Sequence, residues 1–549
     1  MMRAILGTIL AAALLLAPSP SLARSQELAL RLVRLDLPGP PAVVIPADLD
    51  GDGRHDLIVV VAYTEIEEIG FDRIEGLVQI ATVIPAVFDR REARAYLQQP
   101  EGGYLQAGEP LPLSQSVISV EAGPPGLPAI ALTDEGVSEL RFVTAPAPHL
   151  TLVSLLADRP VLAGSAMFLP DLELVRDLDG DGILDLLLPA ADGPAVYLGT
   201  GTGLNVQPAA RLKLPGDRRS TDGRLWRSYP MPRVQDLDGD RIPDLVIRPR
   251  QGGDARHVLR GTGGGRFAPP RATPLDACDT GTELRVADTP SDVEPSLADL
   301  EYVGDIDGDG RAEVVALTEH EVSDDAGMRQ ELKAAKNPRQ TVHLHRLRDD
   351  LQVEPAAYAE FEATGHPLDV ELPNLILQPF QDLDGDGRKE LITFSMDFSL
   401  LQVLRVLTTK KVSIGLEFHL WHQTPDGKFS EVPGLDLTET LKLDLDDLKI
   451  GRFAEFAGDF DGDGRQEFVH LGRGKTVTLH RGQAGCAYAK KPDLTIELDE
   501  PIEDLALVRV RDLDGDGRSD LMITRALPAG GPGDASPVRL DLYVTGGSR

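Results

Sequence analysis

Short apolar runs recur along this chain, and each follows directly on an acidic segment that contains glycine. The runs are rich in Val, Leu and Ile, and they begin at Leu57, Leu186, Leu245, Val314, Leu391, Phe468 and Leu521. Apolar runs of this kind, bounded by glycine turns, predict β-strands. A second apolar stretch precedes each acidic segment. Each unit is therefore predicted to be a hairpin of strand, acidic loop and strand.

The acidic segment follows one pattern in seven copies, which begin at Asp48, Asp177, Asp236, Asp305, Asp382, Asp459 and Asp512. Positions 1, 3, 5 and 9 are Asp or Glu, and glycine occupies position 4 in all copies and position 6 in six of them. Oxygen donors packed this closely suit Ca²⁺, which takes six to eight oxygen ligands. Glycine allows the positive φ angles with which a backbone curls around an ion.

The pattern predicts up to seven structural Ca²⁺ sites, with side-chain ligands from positions 1, 3, 5 and 9 and a backbone carbonyl from position 7. The predicted metal-binding residues are Asp48, Asp50, Asp52, Arg54 and Asp56; Asp177, Asp179, Asp181, Ile183 and Asp185; Asp236, Asp238, Asp240, Ile242 and Asp244; Asp305, Asp307, Asp309, Arg311 and Glu313; Asp382, Asp384, Asp386, Arg388 and Glu390; Asp459, Asp461, Asp463, Arg465 and Glu467; and Asp512, Asp514, Asp516, Arg518 and Asp520.

An EF-hand is excluded by position 12 of the loops. That motif needs a bidentate Glu there and helices on both sides. The residues at position 12 are Val59, Leu188, Ile247, Ala316, Thr393, His470 and Ile523. None is acidic, and the flanking sequences favour strands.

The spacing of the loops predicts eight repeats. Successive loops lie 129, 59, 69, 77, 77 and 53 residues apart, so the first gap is about two repeats long. Within it, residues 117–120, 128–132 and 137–142 are predicted strands, and residues 121–126 replace the acidic loop, so this repeat should bind no metal. Repeats of this size with about four strands predict an all-β fold, a β-propeller with eight blades or, as the alternative, seven.

The two ends of the chain favour closure of the propeller ring. After Asp512 there is room for only two more strands, at 521–524 and 538–544. An N-terminal strand at 28–35 is predicted to complete the last blade and protect its edge. Residues 24–549 are thus predicted to form a single calcium-binding propeller domain.

The loop pattern and the strand that follows it resemble the FG-GAP/VCBS repeat, which occurs in integrin alpha-subunit propellers and in many exported bacterial proteins. The resemblance covers essentially all of residues 24–549, and it implies the propeller fold and calcium without implying one activity. One departure is Arg241, which replaces glycine at position 6 of the third loop. That loop is expected either to bind Ca²⁺ weakly or to hold Arg241 in a left-handed conformation.

The lengths of the connections differ between the two ends of the predicted blades. Connections between third and fourth strands, on the side of the acidic loops, are predicted to be short: 199–203, 261–265, 424–427 and 482–485. Long connections are predicted at the opposite end, called here the long-loop face: 64–75, 215–232, 280–297, 319–341, 396–411 and 526–537. Two of them are predicted to carry helices, at 326–336 and 398–407. Long loops on a rigid scaffold are where binding usually resides.

The net charge indicates which partners are unfavourable, and the N-terminal residues predict export. The formal net charge is −33, which argues against binding nucleic acid or an anionic membrane. Residues 1–23 are predicted to be a signal peptide cleaved after Ala23, because Arg3 is followed by an apolar run and a small-residue site. The expected location is secreted, periplasmic or at the cell surface. No later stretch is apolar enough to predict insertion into a membrane.

Few other residues carry a chemical signal. Cys278 and Cys486 are the only cysteines, and they are compatible with one disulfide or with two thiols. Histidines cluster in two predicted strands, at His343 and His345 and on either side of Trp421 at His419 and His422. Strand histidines are more often packed or solvated than metal-bound, so the sequence favours a structural role over a zinc or copper site.

One predicted long loop, 215–232, is locally basic. Trp226 lies there among four arginines, Arg218, Arg219, Arg224 and Arg227. The simple interpretation is a solvated loop, and the functional one is an anchor for an acidic partner or a glycan.

The sequence favours a binding or adhesion module that recognises a protein or glycan ligand on the long-loop face. The alternative is a propeller enzyme, such as a polysaccharide lyase or a hydrolase, with its site at the mouth of the central channel. No Gly-x-Ser-x-Gly elbow and no phosphate-binding loop followed by a helix is present, so no catalytic residues are predicted.

Overall fold

A computed structural model gives the fold of most of the chain. It describes residues 28–39, 41–63, 90–161, 172–190, 193–213, 217–221, 224–228, 232–247, 257–272, 300–320, 328–351, 353–354, 356–368, 370–372, 375–397, 411–432, 438–444, 449–450, 457–471, 475–499, 508–526 and 538–546. The predicted signal peptide, the helix predicted at 398–407 and Cys278 lie outside these residues. Antiparallel sheets arranged as eight blades make the protein an all-β propeller, which confirms the predicted fold and selects eight blades over seven.

The first four blades each have a core of four strands that pair in chain order. Blade 1 contains Pro41–Ala47, Asp56–Tyr63, Arg90–Gln98 and Tyr104–Gln106, with Leu111–Pro112 added to its third strand. Blade 2 contains Val117–Ala122, Ala129–Thr133, Gly136–Val143 and His149–Leu156. Blade 3 contains Val175–Arg176, Asp185–Leu188, Ala195–Tyr197 and Ala210–Arg211. Blade 4 contains Arg233–Gln235, Asp244–Ile247, His257–Leu259 and Arg271–Ala272.

The last four blades follow the same order, with additions to blade 6. Blade 5 contains Leu300–Gly304, Glu313–Glu319, Arg339–Arg346 and Ala359–Thr364. Blade 6 contains Phe380–Gln381, Glu390–Asp397, Lys411–Gln423 and Phe429–Glu431, extended by His366–Pro367, Thr438–Asp444 and Lys449–Ile450. Blade 7 contains Ala457–Gly458, Glu467–Leu471, Thr476–His480 and Leu494–Glu497. Blade 8 contains Val508–Arg511, Asp520–Ala526, Val538–Thr545 and Leu30–Leu37.

The N-terminal strand closes the ring as predicted. Leu30–Leu37 pairs antiparallel with Val538–Thr545, with Leu30 opposite Thr545 and Leu37 opposite Val538. The strand begins and ends two residues later than the predicted 28–35. Because the fourth strand of blade 8 comes from the other end of the chain, the pairing ties the first blade to the last.

The hydrophobic core is divided among the interfaces between blades. Eight apolar clusters lie in the described part of the chain, one between each pair of successive blades. The cluster between blades 8 and 1 joins Leu35, Leu513 and Leu540 to Leu57 and Val59. The second strand of each blade is buried on both faces. This explains why the apolar runs that follow the acidic loops are continuous rather than alternating with polar residues.

The strand order fixes which connections share an end of the propeller. In an antiparallel blade, the connections from the first to the second strand and from the third to the fourth lie at one end. The six longest connections all lie at the other end, the side predicted for long connections: 64–89, 157–174, 212–232, 273–299, 320–338 and 432–456. The predicted long connections at 396–411 and 526–537 are shorter than these, at 398–410 and 527–537. The prediction of short connections between third and fourth strands is confirmed at 424–428 and is wrong in blades 3, 4 and 7, where the turns at 199–203, 261–265 and 482–485 lie within longer connections, 198–209, 260–270 and 481–493.

Some of the connections contain secondary structure of their own, including one of the two predicted helices. The helix predicted at 326–336 is present as α1, Met328–Lys336. Small hairpins occur in the connections, namely Gly199–Thr200 with Gly203–Leu204, Asp217–Thr221 with Arg224–Ser228, Val370–Leu372 with Leu375–Leu377, and Gly482–Gln483 with Ala487–Tyr488. No helix among the described residues has the length and apolar character needed to cross a bilayer.

Candidate metal centres

The seven acidic loops share one hydrogen-bonded geometry. At position 1 of the first loop, Asp48 Oδ1 accepts the N–H of Gly51 at 2.8 Å and Oδ2 accepts the N–H of Gly53 at 3.0 Å. The same pair of bonds to residues 4 and 6 occurs in the six other loops. The backbone thus curls around the first carboxylate in every copy.

Arg241 keeps this geometry in the third loop by adopting a left-handed conformation. Its φ is 68°, and its N–H donates to Asp236 Oδ2 at 2.8 Å, as the glycines at position 6 do in the other loops. A non-glycine residue in this conformation costs about 1–2 kcal/mol. Of the two expectations for Arg241, the strained conformation is confirmed.

The carboxylate at position 9 is buried in all seven loops. One of its oxygens accepts the N–H of position 2, as Asp56 Oδ2 does from Leu49 at 2.9 Å. Where position 9 is Asp, the other oxygen accepts an N–H from the end of the third strand or just after it, at 2.7 Å in all four cases. Glu467 Oε1, in contrast, is buried with no partner among the described residues.

Burial and the neighbouring carboxylates raise the pKa of these position 9 groups. The pKa is raised to about 6 at Asp185 and Asp244, to about 7 at Asp520, and to about 8 at Glu313 and Glu467. The ionised form lacks both water and a counter-charge there, so a cation at the loop centre would stabilise it.

Several predicted ligands converge on a common centre. Donor atoms lie within 4.8 Å of one another in Asp48, Asp50 and Asp52; in Asp177, Asp179 and Asp185; in Asp236, Asp238 and Asp244; and in Asp305, Asp307 and Glu313. These sets contain only carboxylate oxygens, the donors that hard cations such as Ca²⁺ prefer. The buried Oε1 of Glu467, which has no hydrogen-bond partner among the described residues, is a further oxygen that a cation would satisfy.

The acidic loops contact one another around the ring. A Cβ added at the position 4 glycine of one loop would overlap atoms of the next loop. At Gly180 it would overlap the carbonyl oxygen of Arg241, and at Gly385 the carbonyl oxygen of Gly464. Backbone bonds join the loops too, such as Lys389 N–H to Ile306 O at 2.9 Å. A Cβ at Gly515 of blade 8 would likewise overlap His55 in the loop of blade 1. The loops therefore form a continuous belt from blade 3 through blade 8 to blade 1.

Blade 2 interrupts this belt, as its sequence predicted. Its turn has no acidic ligands, and Glu121 instead accepts the N–H groups of Leu172 at 3.1 Å and Leu174 at 2.6 Å. This carboxylate ties two blades together without a metal. A Cβ at Gly51 of blade 1, whose neighbour is blade 2, would accordingly meet no atom within 4 Å, in contrast to a Cβ at Gly385.

Three of the strand histidines have acidic or backbone partners. His343 Nδ1 lies 3.1 Å from Glu360 Oε1, and His419 Nδ1 lies 3.1 Å from Glu431 Oε1. His345 is buried, with Nδ1 2.9 Å from the carbonyl of Glu354. These three agree with the structural role that the sequence favours. His422 Nδ1 likewise has an acidic partner, Glu390 Oε1 at 3.2 Å, and it also lies 3.7 Å from Cys486 Sγ.

Cys486 carries a free, buried thiol and forms no disulfide within the described part of the chain. The sequence did not indicate its proximity to His422, which is 64 residues away. Their pairing arises only because blades 6 and 7 pack side by side.

Within the basic loop at 215–232, Asp217–Thr221 and Arg224–Ser228 form a two-stranded hairpin. Arg219 pairs with Trp226 and Arg218 with Arg227 across it. The hairpin joins blade 3 to blade 4 on the long-loop face, where the sequence placed it.

A cavity of about 440 Å³ lies where the first strands of blades 1, 2, 3 and 8 face the central channel. Its charged lining comprises Glu121, Glu173, Arg176, Arg509, Arg511 and Asp512. Arginine and carboxylate side chains, which the enzyme alternative could use, therefore line this cavity, and its described lining contains no His or Tyr.

Comparisons with known proteins give only distant structural similarity. No family model and no curated protein matches the chain. A solved structure of a lectin from Agrocybe aegerita, described as recognising non-reducing terminal N-acetylglucosamine, is similar at 15% identity and a TM-score of 0.25 over 70% of this chain and 91% of the lectin. A protein from Lactobacillus plantarum is similar at 10% identity and a TM-score of 0.24 over 72% of this chain and 85% of that protein.

Proposed function

We propose that this protein is an exported β-propeller of the FG-GAP/VCBS type that acts as a binding or adhesion module. In this proposal Ca²⁺ occupies the acidic loops and stabilises the blades, while the long-loop face binds a protein or glycan ligand. Calcium has a structural role because its loops lie in a belt of blade-to-blade contacts, away from the long connections.

The observation that carries the proposal is the asymmetry of the connections. All six of the longest lie on one face, although connections at both ends link the same strands. Insertions without function would be expected at both ends of the propeller. Long connections gathered at one end of a rigid scaffold are instead typical of a recognition site.

The role of calcium is supported by the chemistry of the loops. Their convergent donor atoms are oxygens, and burial raises the pKa of the position 9 carboxylates, as at Glu313. A cation bound only by the folded state stabilises that state by linkage. The protein's own residues would hold the ion at positions 1, 3, 5, 7 and 9 of the loops, blade 6 excepted.

A binding experiment with loop replacements tests the proposed face. The full chain is screened in Ca²⁺ on an array of glycans and surface proteins, and each positive ligand is tested again with two variants. In one variant a short Gly-Ser turn replaces 320–338, which includes α1; in another it replaces 212–232, which includes Trp226. At least one variant should bind about tenfold more weakly, or worse, which corresponds to about 1.4 kcal/mol.

The matched control replaces 424–428, the turn between the third and fourth strands of blade 6 at the acidic-loop end. It should bind like the wild type, and all variants should keep the wild-type melting temperature. Unchanged binding in both long-loop variants, or loss in the control alone, would contradict the proposal.

A further inference from the structure

The acidic loop of blade 6 differs from its neighbours in the residue that faces it. In blades 4 to 7, loop position 10 pairs with a residue of the third strand, and the next residue of that strand differs between blades. That next residue is an arginine in blades 4, 5 and 7, and it forms an ion pair with the position 3 Asp: Arg260 with Asp238, Arg346 with Asp307 at 3.6 Å, and Arg481 with Asp461 at 3.2 Å. In blades 1, 3 and 8 the corresponding residue is apolar: Leu97, Leu198 and Val544.

In blade 6 the corresponding residue is His422, so Asp384 at position 3 lacks the arginine partner. Asp384 also does not accept the N–H of position 5, a bond that the position 3 Asp makes in the six other loops. Its Oδ2 accepts the N–H of Gly485 in blade 7 at 2.8 Å. Its Oδ1 is shielded from solvent and has no partner among the described residues.

Blade 7 supplies a cysteine at this point. Cys486 follows Gly485 in the small hairpin, is 2% exposed, and has a positive φ of 56°. Its Sγ lies 3.7 Å from His422 Nδ1, and Glu390 Oε1 lies 3.2 Å from the same nitrogen. A non-glycine residue with positive φ persists only where its surroundings hold it, and such strain is often found at functional sites.

Four side chains therefore meet between two blades, and they are called here the blade 6–7 cluster: Asp384, Glu390, His422 and Cys486. Donor atoms of three of them lie within 4.8 Å of one another. Nitrogen and sulfur ligands about 2.0–2.1 Å and 2.3 Å from a tetrahedral zinc ion lie about 3.5 Å apart. The observed separation of 3.7 Å between His422 Nδ1 and Cys486 Sγ is close to that value, and Glu390 Oε1 lies 3.2 Å from the same nitrogen.

We propose that the blade 6–7 cluster binds one divalent cation of the zinc class. Thiolate and imidazole ligands favour Zn²⁺ over Ca²⁺, which takes oxygen donors. Asp384 and Glu390 serve this ion, so the loop of blade 6 does not bind calcium in the way that the six others are proposed to. The ion would link blade 6 to blade 7, and it would neutralise the position 3 carboxylate that an arginine neutralises in blades 4, 5 and 7.

Cobalt titration tests the site. The full chain, freed of transition metals and kept in excess Ca²⁺ so that oxygen sites are filled, is titrated with Co²⁺. One equivalent should give the intense visible bands of tetrahedral Co²⁺ and a near-ultraviolet thiolate-to-cobalt band, and Zn²⁺ should abolish both. Cys486→Ser should lose the thiolate band, and His422→Gln should weaken cobalt binding by at least about tenfold.

Two matched variants serve as controls. Cys278→Ser removes the other cysteine, and His419→Gln removes a histidine of the same strand that contacts Glu431 instead. Both should keep the bands. The absence of bands in the wild type, their persistence in Cys486→Ser, or their loss in Cys278→Ser overturns the proposal.

A measurement on the unaltered chain covers the case in which Cys486→Ser does not fold. X-ray absorption at the zinc edge should then show a mixed first shell with one sulfur scatterer, and a shell of oxygen alone overturns the site. Because excess Ca²⁺ is present throughout, failure here leaves the calcium proposal unaffected. That proposal is tested separately by chelation.

Discussion

Two separate constraints favour glycine at position 4 of the acidic loops. Its φ is positive, +80° at Gly51 and +73° at Gly385. In most loops it also lies against the next loop, where a Cβ at Gly385 would overlap the carbonyl of Gly464. Gly51 has no such neighbour because blade 2 lacks an acidic loop. The two positions therefore separate backbone strain from blade packing.

This pair makes a prediction for alanine substitution. Gly51→Ala should lower the free energy of unfolding by about 1 kcal/mol, from left-handed strain alone. Gly385→Ala should cost at least about 2 kcal/mol more, because the backbone of blade 7 has to move. Chemical denaturation in Ca²⁺ measures both. Equal losses in the two variants would show that the loops do not pack against one another.

At the scale of the single element, the N-terminal strand is the one on which closure depends. Its residues alternate, so that Leu35 and Leu37 are buried in the cluster between blades 8 and 1, while Leu32 is 37% exposed. All eight residues pair with the last strand of the chain. Strand pairing alone gives little stability, so burial of these leucines holds the two ends of the chain together.

Removing one buried leucine should therefore loosen the ring. Leu35→Ala is expected to lower the free energy of unfolding by about 3 kcal/mol, as for other Leu→Ala changes in cores. Leu32→Ala, on the exposed face of the same strand, should change it by no more than about 0.5 kcal/mol. Denaturation of the two variants gives the comparison. A similar cost for both would mean that the strand contributes only backbone pairing.

For the whole molecule, acidity is the dominant electrostatic fact. The formal net charge is −33, and the acidic loops concentrate much of it at one end of the propeller. Among the buried position 9 carboxylates, the pKa is raised to about 7 at Asp520 and about 8 at Glu313, chiefly by burial. A folded-state pKa above the unfolded value means that the metal-free fold is favoured at low pH and loses this stability as pH rises from about 4 to about 8.

Calcium should reverse that dependence, because it binds the ionised carboxylates. We expect a chelator to lower the melting temperature by many degrees at about pH 8 and by much less at about pH 5, where most position 9 groups are protonated in the fold. Thermal melts in excess Ca²⁺ and in excess chelator, at matched ionic strength, measure the difference. An unchanged melt in chelator at both pH values would rule out structural calcium.

The sequence by itself determined the repeat, the propeller and the end of the molecule at which each loop lies. These follow from local signals: glycine at positions of positive φ, acidic residues at fixed spacing, and strands whose antiparallel order sets the direction of every connection. Even the degenerate second repeat and the closing N-terminal strand were predicted, because a ring of four-stranded blades leaves one strand unaccounted for at the end of the chain.

Only the tertiary structure decided which residues meet across the blades. The belt of acidic loops, the arginines that neutralise position 3 and the approach of Cys486 to His422 depend on how one blade packs against the next. Packing between blades joins residues far apart in sequence, and no local periodicity encodes it. For this reason the sequence assigned His422 to a packed strand, whereas the structure places it beside a cysteine and two carboxylates.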